Sequence, residues 1–201
     1  IHNPGGVSAT INVELTHYKG FLLDDQVLFA DSVSGMGHAD PAGSGLSGGI
    51  GDDVLIGRSG ADFLFGNAGN DKILGNGGGD ILDGGRGDDW LRGDDGNDRL
   101  SGGLGADSLL GGAGDDLILG GAGDDRVWAG AGDDHVLTGA GDDRVVAGDG
   151  GDLVGGGAGN DSIWGGAGDD RLLGGDGADS LLGNDGNDVI VGGAGEDSLF
   201  G

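Results

Sequence analysis

The stretch from Gly111 to Leu137, GGAGDDLILGGAGDDRVWAGAGDDHVL, writes one nine-residue phrase three times. Each phrase opens on glycine or alanine, sets two carboxylates side by side and closes on apolar residues. The same ruler runs outward in both directions. From Gly48 (GGIGDDVLI) to Phe200 (GGAGEDSLF) the chain divides into seventeen consecutive units with no insertion or deletion. The fourth position is Gly in all seventeen, the sixth is Asp in all seventeen, and the eighth is always Leu, Ile or Val. Composition points elsewhere: 55 glycines, 35% apolar residues and a formal charge of −27 in 201 residues resemble an unstructured acidic linker. A linker has no physical reason to hold three positions fixed over so many units, so the repeat decides the class.

Each fixed position has a structural meaning. Glycine at positions one, two and four permits backbone angles closed to other residues. Where position two is not glycine it is Asn67, Asn76, Asp94 or Asn184, the residue types most at home in the left-handed region, with Arg58 as the exception. Positions seven to nine read as a three-residue strand whose middle side chain faces opposite to its neighbours, so the aliphatic at position eight points inward. Two units make one coil of a flattened solenoid with two parallel sheets. At about 4.8 Å per coil the seventeen units span roughly 40 Å.

The nonapeptide GGxGxDxUx resembles that of the RTX family, the hemolysin-type calcium-binding repeats of exported bacterial proteins, over 153 of the 201 residues. The resemblance implies an all-β, right-handed parallel β-roll of eighteen residues per coil over 48–201. The segment 1–47 is then a flanking cap of irregular β-structure. It also implies bound Ca2+ with the position-six acids as ligands: Asp53, Asp62, Asp71, Asp80, Asp89, Asp98, Asp107, Asp116, Asp125, Asp134, Asp143, Asp152, Asp161, Asp170, Asp179, Asp188 and Asp197. Turn carbonyls complete each site, positions one and three from one loop and two and four from the other. Examples are Gly111, Gly112, Ala113 and Gly114, Gly120, Gly121, Ala122 and Gly123, and Gly165, Gly166, Ala167 and Gly168. One site would use Asp107 and Asp125, and the next, on the other edge, Asp116 and Asp134.

Charge gives an independent reason for a cation. Aspartates one coil apart repel by about 0.9 kcal/mol even in bulk water. The position-five acids Asp52, Asp88, Asp115, Asp124, Asp133, Asp142, Asp169 and Glu196 add to this. Calcium takes six to eight oxygens and suits a cage of carboxylates and carbonyls, whereas magnesium resists such a cage. Zinc is disfavoured by the absence of cysteine and by only four scattered histidines, His2, His17, His38 and His135. Seventeen units form fifteen pairs one coil apart, so about fifteen ions is the upper bound, enough to bring −27 close to neutrality.

Departures from the ruler carry expectations too. Position one is Ala129, Thr138 and Ala147 in units ten to twelve, where the side chain either only crowds the turn or also weakens the calcium site. In 1–47, SATINVELTH alternates Ile11, Val13 and Leu15 as a half-buried strand does, and Leu46 sits nine residues before Leu55 in a degenerate unit with Ser44 at the Asp place. No matching cap follows Phe200, and a bare last coil invites end-to-end association. Ending mid-pattern, the chain reads as part of a longer polypeptide. Position nine is apolar at Ile56, Leu74, Leu110, Trp128, Val146, Trp164, Leu182 and Phe200, all on one sheet. That row is either ordinary strand packing or a lateral docking stripe.

Other chemistry is poorly supported. GLSGG (45–49) fits the G-x-S-x-G nucleophile elbow and GSGLSG (43–48) the dinucleotide fingerprint, but glycine abundance makes both matches cheap and no helical pattern follows. The chain is not expected to be an enzyme. Nine basic residues argue against nucleic acid, and no apolar run is long enough to insert in a membrane. The leading functional expectation is a calcium-binding structural module of a larger, type I-secreted bacterial exoprotein. It would be unfolded without calcium, folded into a rigid β-roll outside the cell, and partnered by the other domains of that protein. The alternatives are a polysaccharide-binding module or an adhesin or surface-layer stalk. Polysaccharide binding would need a basic stripe, for which Arg126, Arg144 and Arg171 are the candidates, only the first two sharing a sheet.

Overall fold

In the computed structural model of the chain the structure describes residues 27–29 and 45–201. These residues form nineteen strands and no helix, arranged as one ten-stranded and one nine-stranded parallel sheet. Successive strands alternate between the sheets, so every strand pairs with the strand two elements away and the chain winds as a solenoid of about nine coils. From Leu46 onward the register is one coil of eighteen residues, as in Leu109↔Val127↔Val145 in one sheet and Leu100↔Ile118↔Val136 in the other.

Most strands are longer than the three residues expected. From Phe63–Ala68 to Val189–Ala194 they run six residues, over positions seven to nine and one to three of the next unit. The reason lies in the main chain. The turn residues keep extended contact with the coils on either side, pairing Gly121 with Gly103 and Gly139, so the ladder does not stop at the aliphatic triplet. Along most strands burial alternates, with position eight and the following position one both inward.

The core is a double file of position-eight aliphatics. Fifteen of them, from Leu55 to Leu181, are buried, while Ile190 is only half-buried and Leu199 is exposed in the last coil. Leu46 pairs with Leu64 and packs partly buried against this core, so the degenerate unit does lead into the solenoid. The strand Val27–Phe29 extends the ten-stranded sheet by pairing with Val54–Ile56. The alternating strand read at Ile11 to Leu15, Ser44, and the histidines His2, His17 and His38 lie outside the described residues. After Leu46–Ser47 comes another strand rather than a helix, so the elbow motif lacks its required context.

Candidate metal centre

Stacking at one coil per step places the position-six acids in two files, one on each edge of the solenoid. Fifteen of them, Asp53 to Asp179, are buried, while Asp188 and Asp197 in the last coil are partly exposed. Each acid from Asp71 onward is pinned by the unit one coil earlier. The backbone N–H of Asp107 donates to Oδ1 of Asp125 at 2.8 Å, and that of Asp116 to Oδ1 of Asp134 at 2.8 Å. The same bond recurs from Asp53 to Asp71 through Asp179 to Asp197, one for each of the fifteen pairs. One oxygen of every pinned carboxylate is thereby satisfied.

The second oxygen is not. Oδ2 is buried without a hydrogen-bond partner in the thirteen aspartates from Asp71 to Asp179. A buried acceptor normally finds a partner, and a buried carboxylate oxygen without one calls for a cation. Asp53 and Asp62 differ: their Oδ2 atoms accept N–H groups from Gly49 and Arg58 at 2.6 and 2.9 Å. These are the two position-two residues that lack positive φ, so the turn there closes on its own acid.

The orphaned oxygen faces a small oxygen-lined gap beside position one. A methyl group added to Gly102 would lie 2.3 Å from Asp107 Oδ2 and 2.7 Å from the Gly120 carbonyl oxygen of the next coil. No carbon fits at such distances, whereas calcium–oxygen contacts are about 2.3–2.6 Å. Position-one glycine therefore leaves this space open rather than supplying a special backbone angle: none of these glycines has positive φ, contrary to the expectation from sequence. Positions two and four do need it. Asn67, Asn76, Asp94 and Asn184 have φ of 77°, 75°, 79° and 74°, as their residue types foretold, and Gly103 and Gly105 have 113° and 129°.

The turn carbonyls sort into two faces. Those of Gly120 and Ala122 lie toward the preceding coil, the latter accepting the Gly105 N–H at 2.9 Å. Those of Gly103 and Gly105 lie against Gly121 and Gly123 of the following coil. Between the loops carrying Asp107 and Asp125, carbonyls of positions two and four from one side meet those of one and three from the other. Among the described residues no three His, Asp or Glu side chains converge on one point. His135, the described histidine, is exposed on a strand and belongs to no such group.

Electrostatics match the geometry. Burial, reinforced by the neighbouring aspartates, pushes the carboxyls of Asp89, Asp116 and Asp125 up to about 7, against a smaller opposing effect of the N–H bond each accepts. Burial likewise raises Asp80, Asp107, Asp134, Asp152 and Asp161 to about 6. Without a cation these groups are held back from ionising near neutrality; a cation between them removes the penalty.

Sequence reasoning missed a second ladder. Position-five side chains, read only as extra charge, accept N–H groups from the coil that follows: Asp133 Oδ1 takes the Gly151 N–H at 2.9 Å, and Asp88 Oδ1 the Ala106 N–H at 2.9 Å. Asn70, Asn97 and Asn160 do the same without charge. The enrichment of Asp and Asn at position five was the available signal, because their short side chains reach neighbouring main-chain donors.

Models of the RTX calcium-binding nonapeptide repeat match the chain in six segments, 47–82, 74–109, 101–136, 110–145, 146–181 and 173–201, which together run without a gap. The chain belongs to the RTX calcium-binding nonapeptide repeat family. Its repeats bind calcium, and the oxygen-lined gaps between stacked aspartates fit that ion. A search of curated proteins finds no matching relative. Three RTX units depart from the pattern: the Ala129, Thr138 and Ala147 side chains fill the position-one space and are buried. Thr138 Oγ1 also donates to the Gly156 carbonyl at 2.8 Å, one of the oxygens that line the gap.

Proposed function

We propose that this chain is the calcium-driven folding module of a larger exported bacterial protein, with a capping segment in 1–47 and the calcium-binding roll in 48–201. The observation that carries it is the thirteen buried Asp Oδ2 atoms without a donor in the two files. At the low calcium of the cytosol these acids repel and resist burial, so the coil does not close and the chain remains extended enough to be threaded out by a type I system. At millimolar extracellular calcium the ions bind between coils, as many as one for each of the fifteen ladder pairs, and their binding free energy becomes folding free energy. The position-six acids and turn carbonyls are the ligands, and the role is structural rather than catalytic.

The test is far-UV circular dichroism of the purified chain in chelator and then in millimolar calcium. The expected result is an unfolded spectrum converting cooperatively to β-structure, with magnesium ineffective. A complete β spectrum in chelator would overturn the reading.

A further inference from the structure

We propose that the first coil of the roll, units one and two (48–65), takes no calcium. Asp53 and Asp62 are closed by their own turns, Arg58 holds the turn of unit two shut, and the file of ions begins one coil later, at Asp71. The inference rests on the calcium reading above and changes which acids serve it. The ceiling of fifteen ions, one for each ladder pair, falls to thirteen, the number of orphaned Oδ2 atoms.

Across the fifteen buried position-six acids, the state of Oδ2 follows the residue four places earlier. In the thirteen loops whose position-two residue runs from Asn67 to Gly175, that residue has positive φ and Oδ2 has no donor. At Gly49 and Arg58 φ is not positive, and the N–H of that residue donates to Oδ2 at 2.6 and 2.9 Å. None of the fifteen mixes the two arrangements. The ladder records the same change. Later strands run on through positions one to three of the next unit, as Phe63–Ala68 does, but Leu46–Ser47 and Val54–Ile56 stop at position nine. Gly51 also lacks the positive φ that the other sixteen position-four glycines have.

Hydrogen bond and ion are alternatives at one place. The gap beside Gly57 has the same walls as those further on, since a methyl group there would lie 2.7 Å from Asp62 Oδ2 and 2.5 Å from the Gly75 carbonyl oxygen. A cation in it would have to share Oδ2 with an N–H whose positive end repels it. The carboxylate meanwhile already holds a charge-assisted bond.

Side-chain chemistry explains why unit two stays shut. Positive φ presses a β-carbon against the main chain, a contact that glycine avoids and that Asn and Asp bear best. Position two is Gly, Asn or Asp in every unit but this one. Arg58 therefore disfavours the open turn, and it is the specificity-determining residue of the coil. The closed coil gives the ion file a finished end. Its N–H groups pin the next acids, Asp53 to Asp71 Oδ1 and Asp62 to Asp80 Oδ1, both at 2.7 Å, while its own acids need no metal.

The test counts ions bound to the calcium-saturated chain by equilibrium dialysis, with circular dichroism of each sample reporting the fold separately. Arg58→Asn is expected to gain one ion per chain and Asn67→Arg to lose one. Asp62→Asn should bind as many as the parent, and Asp80→Asn one fewer. The calcium midpoint for folding should rise at least about twofold in Asp80→Asn and stay put in Asp62→Asn. A folded parent that binds calcium, with no ion gained in Arg58→Asn or one lost in Asp62→Asn, would overturn this proposal and leave the calcium reading standing. A folded parent that binds no calcium would remove both.

Discussion

Asp107 donates its backbone N–H to Oδ1 of Asp125, eighteen residues further along, and the same relation links every successive pair in both files. The carboxylate that receives this bond presents its other oxygen to the gap beside Gly120. One residue thus registers its coil against the preceding one and lines the gap toward the following one, which separates its roles for experiment.

Asp125→Asn keeps an oxygen for the Asp107 N–H and removes the charge. It is expected to fold at higher calcium than the parent, seen as a shifted midpoint in a calcium titration. Asp125→Ala removes the acceptor as well, leaving the Asp107 N–H buried and unpaired. At saturating calcium it should lose about 1–3 kcal/mol more than the Asn variant in urea denaturation.

Acidity should act with opposite sign in the two states. In the metal-free coil the carboxyls of Asp89, Asp116 and Asp125 are raised to about 7, above the value of about 3.9 for an unfolded aspartate. Groups so raised stabilise the coil fully below the unfolded value, and that stabilisation disappears as pH rises through 6 to 7. In chelator, lowering the pH from neutrality toward 4 is therefore expected to increase β-structure by circular dichroism. With calcium present protons compete for the same oxygens, and acid should raise the calcium midpoint.

Filling or opening the gap gives a matched pair of variants. Gly111→Ala would press its methyl to 2.3 Å from Asp116 Oδ2 and 2.5 Å from the Ala129 carbonyl, so it should lower the number of ions bound. Ala147→Gly and Thr138→Gly remove buried side chains from that space and should raise it. Equilibrium dialysis against calcium reads both directions.

The two ladders should separate cleanly. Asp133→Ala loses one exposed bond to the Gly151 N–H, with an expected cost of about 0.5–1.5 kcal/mol in thermal or urea unfolding and no change in ion number. Asp134→Ala, one residue later and buried, should reduce both stability and ion number.

Most of the architecture was legible because it is periodic. Gly at position four, Asp at position six and an aliphatic at position eight prescribe a turn, a charge and an inward side chain at intervals that admit one winding, and Leu109, Val127 and Val145 stack as that spacing requires. Left-handed turns at Asn67 and Asp94 were legible for a local reason: few other side chains tolerate the conformation.

Three features needed the coils in place. Position-one glycine is a matter of room beside a carboxylate five residues on and a carbonyl one coil away, and no local propensity encodes that crowding. The direction of each hydrogen bond, backward from Asp125 but forward from Asp133, depends on which main-chain donors the neighbouring coils present. That Arg126 and Arg144 lie side by side, next to the file of Trp128 and Trp164, arises only when residues eighteen apart become adjacent. Along the chain, then, repetition specified the coil and its acids; across the coils, packing decided which oxygens were left without a donor, because that is settled by neighbours the sequence keeps far apart.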